Sequence, residues 1–449
     1  MLFALLFVPD RSRDAVSGSA WIQAMLDAEA ALALAEATVG LIPSAAAESI
    51  ARCCISEHVD VDALSVEARA AGNPAEPLAR ALRTMVPEDV RRYVHHGATS
   101  QDILDTAGML IASRTLEYIE LDMSRLMSHL ARLAEEHRET LMVGRTLSQH
   151  ALPITFGLKA AGWLEGATRA FAGLRHLHDD CLAVQLGGGA GTLSALGVHG
   201  VAVLHEFAHI LQLNEPDLPW HTERGRIAEI GAALFRTAGA LDKIALDITL
   251  LAQTEVGEVI EDSEGRRGGS STMPQKHNPV GSVLTRACSR EAQSGSELLL
   301  RSMAQEQERS TGIWQAEWQA MSDALAFTGG AVAWLGETMA GLKVDADRMR
   351  ANLDTSRGLL MSERVALLLS ERTGRDEAHQ LIRSASRQVD AGEGALGEVL
   401  KADDTVRRYL SAEEIDMAMD PGTYIGSAHL FIDRALAYYR SVVGERQEA

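Results

Sequence analysis

A chain of 449 residues, 46% of them hydrophobic, can bury a large core and predicts roughly two to four domains. Its net charge of −20 excludes nucleic acid as the main partner, because phosphate binding needs a basic face. An anionic small molecule is not excluded, since a few arginines and lysines focused in a cleft can set the local field.

Alanine and leucine dominate, aromatic residues make up only 4%, and no proline occurs between Pro279 and Pro421. Long proline-free, alanine-rich runs favour long helices. No β-branched run alternates with polar residues, so the predicted class is all-α. Cys53 and Cys54 are adjacent, while Cys181 and Cys288 stand far apart. That is neither a disulfide framework nor a zinc spacing, and it predicts a reducing cytoplasm. The apolar opening MLFALLFV is too short to cross a bilayer and lacks the flanks of a signal peptide, so no membrane partner is expected.

In chain order, residues 1–100 predict a small helical domain. Its helix around residues 20–40 is punctuated by Gly40 and Pro43, and Asn73-Pro74 and Pro77 mark a loop. Residues 101–355 predict a central bundle of roughly five long helices. Leu116, Ile119, Met123, Leu126, Leu130 and Leu133 repeat at spacings of three and four, a seam suited to nearly parallel packing. Breaks are expected near 140–153, 186–191, 214–220 and 265–279. Residues 356–449 predict a second small helical domain. Apolar faces on several sides of such a bundle predict burial against other subunits.

Four stretches carry candidate chemistry. In GGSSTMPQKHNP, residues 268–279, Ser270 can carry a proton and Lys276 can neutralise developing negative charge. Asn278 suits an N-cap and Pro279 the first helical position, so this loop should face the anion-stabilising end of a helix. In VHHGATSQDILDTA, residues 94–107, Ser100 is the predicted N-cap. Asp102 and Asp105 read as ordinary helix-start carboxylates. The third and fourth are GRTLSQHALPITFG at 144–157 and QEQERSTGIWQAEW at 305–318, in which Trp314 and Trp318 read as packing.

These stretches resemble the fumarase/aspartase superfamily, whose members add to, or eliminate from, bonds beside carboxylates. The resemblance implies an all-α, fumarase/aspartase-like fold of three helical domains around a central long-helix bundle. It implies Ser270 and Lys276 as catalytic residues, the serine on a mobile loop. It implies His95, Thr99, Ser100, Arg145, Thr146, Gln149, Asn278 and Arg309 as contacts for a small polycarboxylate substrate. It implies no metal and no cofactor, and a homotetramer whose active sites draw on three chains.

One departure narrows the reaction. Most carbon–nitrogen and carbon–oxygen lyases of the superfamily read Thr-His-x-Gln-x-Ala-x-Pro in the second region, with the histidine tied to a glutamate beyond the lysine–asparagine motif. Here Thr146, Gln149, Ala151 and Pro153 match, but position 147 is leucine and Val283 stands at the glutamate's place. Ammonia, an amine or hydroxide needs an acid in order to leave. A carboxylate, with a conjugate acid of pKa about 4, leaves or attacks without one. Leu147 and Val283 are therefore expected to line an apolar wall. The superfamily branch that lactonises 3-carboxy-cis,cis-muconate, in protocatechuate degradation, adds the substrate's own carboxylate to its own double bond. TMPQKHNP, LGGGAGTLSALG, the ERSTGIWQAEW segment and DPGTYIGSAHLFIDRAL are similar to that branch.

Other readings stay open at this point. The same fold serves adenylosuccinate-type carbon–nitrogen lyases, and a substituted muconate such as a sulfonated one would suit the same pocket. A catalytically retired scaffold is opposed by Ser270, Lys276 and Asn278. His205-Glu206-Phe207-Ala208-His209 matches the HExxH pattern of zinc peptidases, with Glu223 or Glu229 as a third ligand. His137, His176, His178 and His221 read as surface or interhelix residues. His96, His150 and His277 lie within motifs and could line a pocket.

Overall fold

The computed structural model describes residues 6–261, 273 and 276–444. Among them the chain is overwhelmingly α-helical, with two short antiparallel strand pairs. It forms two compact units. One comprises residues 1–124, 169–243 and 283–335, the other 125–168, 244–282 and 336–449.

In the first unit the short helix Asp10–Asp14 is followed by the helix Gly18–Thr38, whose N-cap Ser17 accepts from the Ala20 N–H. Its buried face is largely alanine, including Ala24, Ala28, Ala31 and Ala35, which lets neighbouring backbones approach closely. The helix Ser100–Glu136 follows. Every residue of the predicted seam along it, from Leu116 to Leu133, is at most 1% exposed. The helices Phe156–His176, Gly225–Leu251, Val280–Arg301 and Ile313–Ala340 are further long elements, and like Ser100–Glu136 each contributes residues to both units.

In the second unit, strands β1 (Leu141–Thr146) and β2 (Gln149–Thr155) form a hairpin where the sequence predicted only a break. Its two turn residues, Leu147 and Ser148, both take positive φ, 49° and 62°. That is the mirror-image turn that matches strand twist. Propensity does not announce it, because neither residue favours positive φ. Val143 packs with Leu353, Leu360 and Met361 and so anchors the hairpin. Strands β3 (Val259–Glu261) and β4 (Leu342–Val344) make the second pair. The C-terminal helices close over Val365, Leu369, Ile382, Val389, Leu400 and Ile415.

The stretch Ser194–Leu211 is long and apolar enough to cross a bilayer by length and composition. It is not one helix, however. Gly197 breaks it at φ 54°, ψ −134°, leaving a short 3-10 turn before the helix Gly200–Leu211.

Candidate active site

Residues 94–107, 185–189, 220–224 and 305–317 meet in the first unit. The approach to the Ser100 helix is left-handed at His95 (φ 59°) and Gly97 (φ 70°). Gly97 has to be glycine, because a Cβ there would run into Leu196. His95 Nδ1 lies 2.6 Å from Glu29, and His96 Nδ1 lies 2.8 Å from Glu36. Both carboxylates come from the Gly18–Thr38 helix and are buried. Burial pulls the His95 imidazole down, but the charge and hydrogen bond of Glu29, with the charge of Asp102, outweigh it and hold the ring above its ordinary range. Burial pushes the Glu36 carboxyl up to about 7, against the opposing pull of His96.

The helix begins at Ser100 itself, so the cap position is Thr99 rather than Ser100. Both residues are half-buried. Asp102 reaches back to accept the Thr99 N–H at 2.9 Å, the reverse half of a capping box. It also accepts the Gly187 and Gly188 N–H groups, each at 2.9 Å, and lies 2.7 Å from His221 Nε2. Asp105 accepts both terminal nitrogens of Arg224, at 2.8 and 3.0 Å, and the Trp314 indole N–H at 2.8 Å. Arg224 in turn donates to Glu317 at 2.5 and 3.2 Å.

Three sequence readings are corrected here. Asp102 and Asp105 are not ordinary helix-start carboxylates but fully engaged buried hubs. His221 is 4% exposed and joined to Asp102 of the Ser100 helix, which overturns the surface half of its surface-or-interhelix reading. The local sequence carried no signal for this, because Asp102 and its imidazole partner are 119 residues apart.

Arg309 joins the same assembly. Its Nη1 donates to Gln101 Oε1 at 2.9 Å, and its Nη2 to the carbonyls of Gly189 at 2.9 Å and Gly188 at 3.4 Å. His95, Thr99, Ser100 and Arg309 are thus the predicted residues that the first unit holds.

The second unit carries the rest. Arg145 is bound to the fully buried Glu258 through two hydrogen bonds of 2.9 and 2.7 Å. Asn352 holds the same carboxylate at 2.7 Å. Thr146 and Gln149 pair across the hairpin turn, both exposed. His150 stands opposite Arg145, and burial, then the Arg145 charge, lowers its pKa. Leu147, at the turn, is 98% exposed, and Val283, in the first turns of its helix, is 51% exposed. The apolar wall expected of them is not formed by packing within either unit. Lys276 is exposed and Asn278 half-buried, while Ser270 lies outside the described residues.

The helix after the signature begins at Val280, not at Asn278-Pro279. In its first turn the N–H groups of Gly281 and Ser282 donate to Glu261, each at 2.9 Å. The anion seat predicted at this helix end is therefore filled by a carboxylate of the protein itself.

His205 of HEFAH is exposed and joined to Glu215 at 2.8 Å. Among the described residues no group of three His, Cys, Asp or Glu side chains is placed to hold a metal ion, so the zinc-peptidase reading has no ligand set there. His178 is an interhelix residue, 2.8 Å from Glu120 and 3.0 Å from Ser113. His137 packs edge-on against Phe156. Trp314 and Trp318 pack edge to face.

A family model described as lyase matches residues 9–293, and one described as adenylosuccinate lyase C-terminus matches residues 358–435. The chain is 45% identical to the 3-carboxy-cis,cis-muconate cycloisomerase of Bradyrhizobium diazoefficiens, over 94% of this chain and 95% of that one. It is 42% identical to the nitrosuccinate lyase of Streptomyces davaonensis, over 97% of this chain and 94% of that one. Its fold is similar to the crystal structure of 3-carboxy-cis,cis-muconate lactonizing enzyme from Pseudomonas putida, with a TM-score of 0.93 at 39% identity, covering 98% of this chain and 99% of that chain. With a matching family model across most of its length and full-length relatives well above 30% identity, the chain belongs to the lyase family, the fumarase/aspartase superfamily that its motifs resemble.

Proposed function

We propose that this chain is a cycloisomerase that closes 3-carboxy-cis,cis-muconate to a carboxymuconolactone. The observation that carries the reading is the joint replacement of the acid–base pair by Leu147 and Val283. Loss of one partner would leave the other stranded. Loss of both fits a reaction whose oxygen nucleophile is already an anion. Full-length similarity to cycloisomerases supports the same reading.

In the proposed mechanism the tricarboxylate is bound by His95, Thr99, Ser100, Arg309, Lys276 and Asn278. The hairpin supplies Thr146 and Gln149, with Arg145 holding it to Glu258. Binding presses one substrate carboxylate against the alkene carbon it attacks, and orientation of this kind can contribute about 7–11 kcal/mol at best. The new C–O bond forms as the alkene π pair moves onto the neighbouring carbon and into its carboxylate. Lys276 and Asn278 stabilise that charge, one such donor being worth about 3–4 kcal/mol. Ser270 then gives its proton to carbon and regains one from solvent, so the trianion takes up one proton as it becomes the lactone dianion, and the two free acids are isomers.

The test is spectrophotometric. Purified protein mixed with 3-carboxy-cis,cis-muconate should bleach the diene absorbance with no amine released. Ser270→Ala should lower kcat by orders of magnitude with KM little changed. An unchanged kcat would remove the serine from the mechanism.

A second reading rests on the same two residues. Nitrite, like a carboxylate, is the anion of an acid that is ionised at neutral pH, and it leaves without an imidazole. Elimination from a nitrosuccinate-like substrate therefore suits the same pocket, in keeping with the Streptomyces relative. Nitrite released from nitrosuccinate, with the diene untouched, would replace the first reading by the second. A cytoplasmic homotetramer with shared sites, and three domains with borders near 100 and 355, belong to this proposal.

A further inference from the structure

We infer that Gln101, Asp102 and His221 are positioning residues that hold Arg309 as an unneutralised cation for a substrate carboxylate. The inference deepens the proposed function and rests on Arg309 being a substrate contact.

Three arginines invite comparison. Arg224 is buried between two carboxylates, Asp105 and Glu317. Arg145 is bound to Glu258. Both charges are answered inside the protein. Arg309 is held instead by an amide oxygen and two peptide carbonyls, and among the described residues no carboxylate pairs with it. Neutral acceptors fix a guanidinium without cancelling its charge, so its attraction for an incoming carboxylate survives.

The cradle is itself built to stay neutral toward Arg309. Gln101 is fully buried, and its Nε2 donates to the His221 carbonyl at 2.7 Å and to Asp105 at 3.0 Å. With the amide nitrogen facing two oxygens, Oε1 has to face Arg309. The carbonyls of Gly188 and Gly189 are carried by a loop that is fixed immediately upstream. The Gly187 and Gly188 N–H groups donate to Asp102, which ties the start of that loop to the Ser100 helix, and the next two carbonyls along, of Gly188 and Gly189, accept from Arg309. Gly188 takes φ 68°, and a Cβ there would sit 3.1 Å from the Gly97 carbonyl, so this path needs glycine. The Asp102 charge is itself answered by His221 and three backbone N–H groups, none of them on Arg309. His221 orients Asp102, Asp102 orients the glycine loop, and the loop with Gln101 orients Arg309.

The experiment uses the full-length protein and three variants, His221→Leu, His221→Gln and Asp102→Asn. Each is followed by kcat and KM for 3-carboxy-cis,cis-muconate, by calorimetric binding of fumarate as a plain dicarboxylate probe, and by thermal unfolding. His221→Leu and Asp102→Asn should raise KM at least tenfold while kcat falls less than threefold, with fumarate affinity falling in parallel. His221→Gln, whose amide N–H can still reach Asp102, should stay within about threefold of wild type. If Asp102→Asn does not fold, Gln101→Met, which removes the amide acceptor of Arg309, takes its place and should raise KM similarly. Unchanged KM and fumarate affinity in His221→Leu and in Asp102→Asn or its substitute would overturn the inference. So would a glutamine variant no better than the leucine one, or lowered melting as the only effect. Wild-type protein that binds fumarate but leaves the muconate intact sinks the activity reading alone, and the fumarate arm then decides the cradle. Wild-type protein that acts on neither overturns both.

Discussion

Glu36 has no solvent exposure, and its neighbour His96 does not fully offset the loss of water around it. Its carboxyl, raised from 4.5 to about 7, keeps its proton in the folded chain over a range where the unfolded chain has lost it. The sign follows. Between these values the folded state binds more protons, so stability falls as pH rises through the window. Above pH 7 the deficit is on the order of 3 kcal/mol, at about 1.4 kcal/mol per unit. Glu36→Gln keeps the shape and removes the ionisation. Its melting temperature should exceed that of wild type at pH 8 and nearly match it at pH 5. Equal differences at both pH values would mean that Glu36 is not titrating in this range. His95 has the opposite sign. Its raised imidazole stabilises the fold fully below an unfolded value near 6.5, and the contribution fades as pH climbs through the folded value.

At the scale of elements, Arg224 ties the Ser100 helix to the Ile313–Ala340 helix through Asp105 and Glu317. The Arg224 guanidinium also lies 4.9 Å from the Trp220 ring. Removing one member of a buried ionic cluster leaves uncompensated charge and typically costs about 3–5 kcal/mol. Arg224→Met should lower unfolding free energy in urea by about that amount, and adding Asp105→Asn and Glu317→Gln should recover much of it. A loss under about 1 kcal/mol for the single variant would count against the cluster as a structural tie. The hairpin at Leu141–Thr155 stands where the sequence predicted only a break, and the helix predicted to open at Asn278-Pro279 starts at Val280. Both features depend on distant groups. Leu353, Leu360 and Met361 anchor the hairpin, and Glu261 caps the helix some twenty residues further on.

At the scale of the molecule, the single chain leaves Leu121, Phe235, Leu250 and Leu298 exposed on its long helices. Apolar faces of this kind are a reason for subunits to associate. Light scattering should therefore give four times the mass of one chain, and a monomer at micromolar concentration would contradict the proposed shared sites. The sequence by itself determined the helical class, the family, and the seam from Leu116 to Leu133. These rest on periodicity and on contiguous motifs, which are local properties of the chain. It also placed Leu147 and Val283 where the acid–base pair would be, which needs only a register. It could not tell Arg309 from Arg145. In sequence each is an arginine within a motif, and what separates them is whether a buried carboxylate arrives from far along the chain. Glu258 reaches Arg145 from 113 residues away, whereas Arg309 meets an amide and two glycine carbonyls. Only the tertiary structure decided which of the two is paired with a carboxylate among the described residues, because charge compensation is a property of neighbours in space.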